Sequence, residues 1–167
     1  MKMTRTELKN SEFWKNTGIV LPSYDVEAIT IKAKNEPRWV HFGIGNIFRI
    51  FLGSIADGML ENGDLDCGLT CIETFDFDII DKIYEPFDNL ALAVILNGDG
   101  TRDNKVLGCF AEAIKAQSSD AQKWNRMKQI FSSKSLQMIS FTITEKGYAL
   151  RDSEGKILAY VASDMEK

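Results

Sequence analysis

The chain has 167 residues, a mass of 18.8 kDa and a formal net charge of −4, which leaves room for one well-buried domain but not for two of full size. Its apolar and charged fractions, 44% and 26%, are those of a soluble globular protein. No run approaches the eighteen or so apolar residues that span a bilayer, and the polar stretch Met1–Asn10 lacks the apolar segment of a secretory leader, so a cytoplasmic protein with no membrane partner is expected. Acidic excess and scattered lysines exclude a nucleic-acid partner, whose phosphates call for a basic patch.

Taken in chain order, Thr4–Lys15 reads as a short helix, LPSYD as a turn and KAKNEP as a charged lead-in, so residues 1–37 look like a preamble to a domain over 38–167. Arg38–Gly43 is a short apolar run ending in Gly43, Gly45 and Asn46. Phe48, Phe51, Leu52, Ile55, Met59 and Leu60 then recur at the spacing of one helical face. Asn62-Gly63-Asp64 closes that helix, and Gly68–Glu73 is a second strand. Asp76 and Asp78 open a short helix through Tyr84, with Pro86 just beyond it. A third strand, Leu90–Leu96, stops at the turn Asn97–Gly100, and Lys105–Ile114 fits strand and helix equally. A capped helix over Ser118–Phe131 presents Trp124, Met127, Ile130 and Phe131 on one face and leads into the strand Leu136–Thr144; Arg151–Lys167 reads as a hairpin.

Strands alternating with helices predict a mainly parallel sheet in an α/β, Rossmann-like, doubly wound fold of three αβα layers, because each parallel pairing needs a crossover. In such folds ligands sit outside the carboxyl ends of the strands at the switch point. The Gly43-Ile44-Gly45 turn is placed there. One glycine permits a tight turn, the other lets a pyrophosphate approach, and the N–H groups at Asn46 and Ile47 supply the positive end of a dipole. The third glycine of GxGxxG is replaced by Phe48. Glu73, about thirty residues on at the end of the next strand, suits the adenosine ribose hydroxyls and would repel a 2′-phosphate, which favours NAD over NADP. Arg49 opposes the helix dipole, which makes it a candidate anion contact as well as a candidate surface ion pair. Thr142, Thr144 and Glu145 end the fourth strand on the nicotinamide side.

His41, the only histidine, lies inside the first strand and reads as a satisfied core residue, and one histidine with no paired cysteines leaves a transition metal almost no ligands. Cys67, Cys71 and Cys109 read as small buried hydrophobes in a reducing compartment.

His41-Phe42-Gly43-Ile44-Gly45-Asn46 with Arg49, the stretch Glu73-Thr74-Phe75-Asp76 and Thr142-Ile143-Thr144-Glu145-Lys146-Gly147-Tyr148 together resemble the amino-terminal domain of the mannitol dehydrogenase family, over roughly Pro37 to Tyr148. That family includes mannitol dehydrogenases and the fructuronate and tagaturonate reductases. The resemblance implies NAD(P)-dependent, metal-independent hydride transfer between a secondary alcohol of a polyol or sugar acid and the corresponding keto sugar. It also implies that the substrate is held by a carboxyl-terminal domain, bearing the catalytic lysine, to which nothing here corresponds; Lys146 is not that lysine. Ile47 and Phe48 stand where many relatives carry an aromatic-histidine pair, and the Asn-Ile-Phe-Arg variant leans toward the sugar-acid reductases. The chain is therefore expected to bind NAD without completing the chemistry alone, and an uncovered apolar patch would favour self-association. A non-catalytic dinucleotide module and a domain for another nucleotide, such as coenzyme A, are the competing readings.

Overall fold

The computed structural model describes residues 2–143 and 145–166. In chain order its elements are α1 (Arg5–Leu8), α2 (Ser11–Trp14), β1 (Ile19–Val20), α3 (Val26–Asn35) and β2 (Trp39–Phe42). A π-helical turn over Ile47–Leu52 continues directly as α4 (Gly53–Asn62), followed by β3 (Leu69–Glu73) and a second π-helical turn, Ile80–Tyr84, that tightens to 3₁₀ over Glu85–Phe87. Then come β4 (Ala91–Leu96), β5 (Arg102–Leu107), β6 (Phe110–Lys115), α5 (Ala121–Phe131), β7 (Met138–Phe141), a 3₁₀ turn Glu145–Tyr148 and α6 (Ala159–Met165).

Four strands form one sheet in the order β6-β3-β2-β7, and every neighbouring pair in it is parallel. Burial on both faces is what a parallel sheet requires, and all five residues of β3 are buried. Side chains alternate between faces along each strand, so Trp39, Leu69 and Cys71 join Phe48, Tyr84 and Phe110 in one core while Val40 and Ile72 join Ile114 and Ile130 in another. Ile130 belongs to α5, so helices cover both faces, as a doubly wound α/β fold demands. Of the other apolar residues expected on the same face of α5, Met127 is half-buried and Trp124 and Phe131 stay exposed.

The structure departs from the sequence reading at Leu90–Leu96, in the charged lead-in and in the last segment, and it resolves Lys105–Ile114, which the sequence left open. The run at Leu90–Leu96 is not the third strand of the parallel sheet. As β4 it pairs antiparallel with β5, from Ala91↔Leu107 to Leu96↔Arg102, and β1 adds to the other edge of β5 to make a separate three-stranded sheet. The tight turn at Asn97–Gly100 reverses the chain at once and leaves no length for a crossover. The third parallel strand is β6, because Lys105–Ile114 spans the ends of two strands broken at Gly108-Cys109.

The charged lead-in is a helix, α3: the Asp25 carboxylate accepts from the N–H groups of Glu27 and Ala28 at 2.9 and 3.0 Å, and Ile29, Thr30 and Ala33 turn inward. At the other end, the expected hairpin is reduced to one bridge, Arg151↔Ile157, whose turn is organised by the Asp152 carboxylate before the chain becomes α6.

A buried carboxylate fastens the segment before α3 to the rest. Asp57 on α4 has no exposed surface, pairs with Lys105 Nζ at 2.7 Å, accepts from the Gly108 N–H at 3.2 Å and takes the Tyr24 hydroxyl proton bond. Several partners on one oxygen pair are what make a buried charge tolerable.

Candidate functional site

The carboxyl ends of β3, β2 and β7 lie side by side, and Gly43, Gly45, Asn46, Ile47, Arg49, Glu73 and Thr142 follow or end those strands. Gly43 leaves β2 with φ +84°, a left-handed conformation, and donates its N–H to Ile72 O at 3.1 Å. A Cβ on it would lie 2.4 Å from the carbonyl oxygen of Thr142, so this glycine is required by the protein twice over. Gly45 differs: its φ is not positive and a Cβ there would meet nothing within 4 Å. The chain then enters its helix, where Arg49 N–H donates to Gly45 O at 2.9 Å. The first N–H groups of any helix lack partners within it, and here they belong to the segment around Asn46 and Ile47, both exposed.

Arg49 sits in that first turn. Its Nη2 donates to Asn46 Oδ1 at 2.6 Å, and its Nη1 is buried without a hydrogen-bond partner among the described residues. Among the described residues no ion pair to a carboxylate is found for it. A guanidinium that opposes the dipole and leaves one buried nitrogen unsatisfied is poorly compensated by the fold itself.

Glu73 closes the site on one side. It is buried, and its carboxylate bridges two loops: Oε2 accepts from Ile44 N–H at 3.2 Å, while Oε1 accepts from the N–H groups of Thr74, Phe75 and Asp76 at 2.9, 3.0 and 3.4 Å. The glycine turn is thus tied to the end of β3 by a charge-assisted contact. Tyr84 ties it from below by donating its hydroxyl to Ile44 O at 2.9 Å, and burial pushes that phenol up from its ordinary value. Phe75 beside Glu73 is 94% exposed.

On the other side of β2 stands Thr142, half-buried, its N–H on Phe42 O at 2.9 Å. Its hydroxyl lies 2.8 Å from His41 Nε2. His41 is fully buried and stacks on Phe48 with ring centroids 3.9 Å apart; its Nδ1 lies 2.7 Å from Ser140 Oγ. It is the satisfied core histidine expected, and burial pushes its imidazole down to about 4, so it is neutral at physiological pH. Thr144 lies outside the described residues, and Glu145 is described only as the first residue of the 3₁₀ turn.

All three cysteines are buried free thiols, the role expected of them. Among the described residues no three His, Cys, Asp or Glu side chains come together as a metal site, and no helix is long and apolar enough to cross a membrane.

No family profile matches the chain. Its sequence is 40% identical over 166 residues to a D-mannonate oxidoreductase of Thermotoga maritima, an alignment that takes in 99% of this chain and 31% of that protein. The chain is a homologue of part of a D-mannonate oxidoreductase. It spans about a third of that relative's length. Among solved structures it resembles D-sorbitol dehydrogenase in substrate-free form, with a TM-score of 0.73 and 22% identity over 100% of this chain and 32% of that one. It also resembles Pseudomonas fluorescens mannitol 2-dehydrogenase in ternary complex with NAD and D-mannitol, with a TM-score of 0.71 and 22% identity over 96% of this chain and 30% of that one. The resemblance drawn from the glycine turn, Arg49 and the TxTEKGY stretch therefore holds, and these structures share the α/β fold.

The sequence reading missed three contributors. In the sequence Tyr84 reads only as a helix end and Trp39 and Ser140 only as strand residues, yet Trp39 Nε1 donates to Ser140 Oγ at 2.7 Å beside His41. The one signal for this cluster was that Trp39 and His41, like Ser140 and Thr142, are two apart and therefore share a face of their strands.

Proposed function

We propose that the chain is the dinucleotide-binding part of an oxidoreductase that acts on a sugar acid, and that its cofactor is NAD. The observation that carries the proposal is the contrast between the two glycines: the fold demands Gly43, whereas only something outside the fold has use for the open space at Gly45. The orphaned Arg49 Nη1 beside it fits an anion. Pyrophosphate would be held by the helix-start N–H groups from Gly45 to Ile47 with Arg49.

Since β3 and β7 flank β2 on opposite sides, a dinucleotide crossing the glycine turn would have its adenosine toward Glu73 and its nicotinamide toward Thr142, the strand end that Thr144 and Glu145 follow in sequence. An acidic side chain at the ribose end, Glu73 at the close of β3, would repel a 2′-phosphate, which supports NAD over NADP. Bound there, the cofactor supplies hydride chemistry; the residues of this chain bind it, orient it and hold its ends apart. Identity to a D-mannonate oxidoreductase supports a sugar acid over a plain polyol. The groups that bind the substrate and move its proton would come from polypeptide equivalent to the rest of that relative.

Calorimetric titration of the chain with NADH, and with NADPH as comparison, tests the proposal. Micromolar NADH binding with clearly weaker NADPH is expected; equal affinity for both would remove Glu73 from the ribose site, and binding of coenzyme A in place of either would overturn the oxidoreductase reading.

A further inference from the structure

The cluster behind Thr142 is a chain of four polar side chains, and the chemistry of its members sets its direction. Trp39 Nε1 can only donate, and it donates to Ser140 Oγ at 2.7 Å. Ser140 Oγ and Thr142 Oγ1 stand at 2.7 and 2.8 Å from the two nitrogens of His41. The ring has no exposed surface and is neutral, so it carries one N–H.

Two arrangements follow. In one, His41 Nδ1–H donates to a Ser140 oxygen that already receives Trp39, Thr142 donates to Nε2, and the Ser140 proton is left in mid-strand, where no other acceptor stands among the described residues. In the other, Ser140 donates to Nδ1, Nε2–H donates to Thr142, and the one unused proton is that of the Thr142 hydroxyl. It lies at the open carboxyl end of the sheet, where a ligand can accept it. An unsatisfied donor inside a strand pair costs more than one facing a cleft, and hydrogen bonds that all point one way reinforce one another.

We infer that the chain Trp39–Ser140–His41–Thr142 runs outward, and that His41 is a positioning residue which holds the Thr142 hydroxyl as a donor to the nicotinamide half of the dinucleotide. The inference rests on the dinucleotide reading above and adds to it a residue two side chains removed from the ligand. Thr142 is well placed for the role, since its carbonyl oxygen abuts Gly43 and it stands across β2 from Glu73.

The test compares NADH with ADP-ribose, which has the same adenosine and pyrophosphate but no nicotinamide. Thr142→Val keeps the shape and removes the hydroxyl; His41→Phe keeps a ring against Phe48 and removes both nitrogens. Each should weaken NADH roughly tenfold, leave ADP-ribose within about twofold, and give no further loss when combined, while Thr142→Ser binds both ligands as the unaltered chain does. NADH affinity unchanged in Thr142→Val would overturn the inference, as would a parallel loss of ADP-ribose in either variant, which marks a merely structural role. If Thr142→Val behaves as expected and His41→Phe does not, His41 is no positioning residue and the inference falls with it. An unaltered chain that binds neither NADH nor ADP-ribose would remove the dinucleotide reading itself, whereas binding of both with no discrimination by Thr142→Val would remove only this inference.

Discussion

Substituting alanine at Gly43 and at Gly45 separates what the fold requires from what a ligand requires. At Gly43 the backbone has φ +84°, which an alanine adopts at a cost of about 1–2 kcal/mol. Its methyl would start 2.4 Å from the Thr142 carbonyl oxygen, so the β2 and β7 ends must part by about an ångström, and overpacking of this kind costs a further ~1–3 kcal/mol. The sum, about 2–5 kcal/mol, corresponds to a Tm lowered by roughly 5–15 °C for a chain of this size. At Gly45 the methyl meets nothing and the backbone needs no left-handed conformation. Stability there should change by less than about 1 kcal/mol, in either direction. Thermal and urea denaturation followed by circular dichroism measures both, with NADH titration of whichever variant stays folded. Gly45→Ala should be a folded protein with NADH affinity reduced at least tenfold, and Gly45→Val should not bind at all. A stable Gly43→Ala would refute the close approach of the two strand ends, and a Gly45→Ala destabilised by 2 kcal/mol or more would make that glycine structural and withdraw the main support for a ligand there.

Arg49→Gln should lower NADH affinity by about 10- to 100-fold, the range for a lost charged hydrogen bond, while leaving Tm unchanged or slightly raised, because a cation leaves the wrong end of a helix dipole; a fall in Tm of several degrees would instead give Arg49 a structural partner. Glu73→Gln should both weaken NADH and destabilise the chain by about 1.5–3 kcal/mol, since a neutral amide replaces a carboxylate that receives the N–H groups of two loops; full stability in the same denaturation assay would show that those contacts do not hold in solution. Acid should weaken the fold in a window set by His41. The unfolded chain protonates it near 6.5 and the native state only near 4, so its contribution, about 3 kcal/mol, is complete above the higher value and is lost as pH falls from 6.5 to 4. Urea midpoints measured across that window should slope less in His41→Phe than in the unaltered chain, and equal slopes would mean that the ring is not buried neutral.

What the sequence discloses about this molecule follows the range of the forces involved. The glycine turn, the helix after it and the helix over 121–131 were legible because each is set by residues within a few positions: Gly43 by its own φ, Gly63 as the left-handed cap of α4, and Asp120 as the cap of α5, its carboxylate accepting from the N–H groups of Gln122 and Lys123. Partner choice was not legible. Nothing within Leu90–Leu96 says whether its neighbour is β3 or the next strand along, and the antiparallel pairing with β5 only emerges from the chain reversal at Asn97–Gly100. α3 was hidden because the charged residues of its second half read as a lead-in, while its buried Ile29 and Ala33 find their partners in residues far along the chain, Leu69 and Phe110 for the one and Ala111 for the other.

The site shows the same division. Glu73, Arg49 and the two glycines could be named from spacing, but their unequal roles could not, because the oxygen that makes Gly43 necessary belongs to Thr142, far along the chain. His41 is the clearest case. Read alone, a single histidine within an apolar strand has nothing to do but be buried; the order β6-β3-β2-β7 is what brings Ser140 and Thr142 alongside it. A parallel sheet places the ends of consecutive crossovers at one edge, so residues that are chemically idle in their own segments become neighbours. The residues proposed to bind the cofactor therefore gather where three strands end together, and the inner polar chain matters to that proposal because its members set one another's direction from within the sheet.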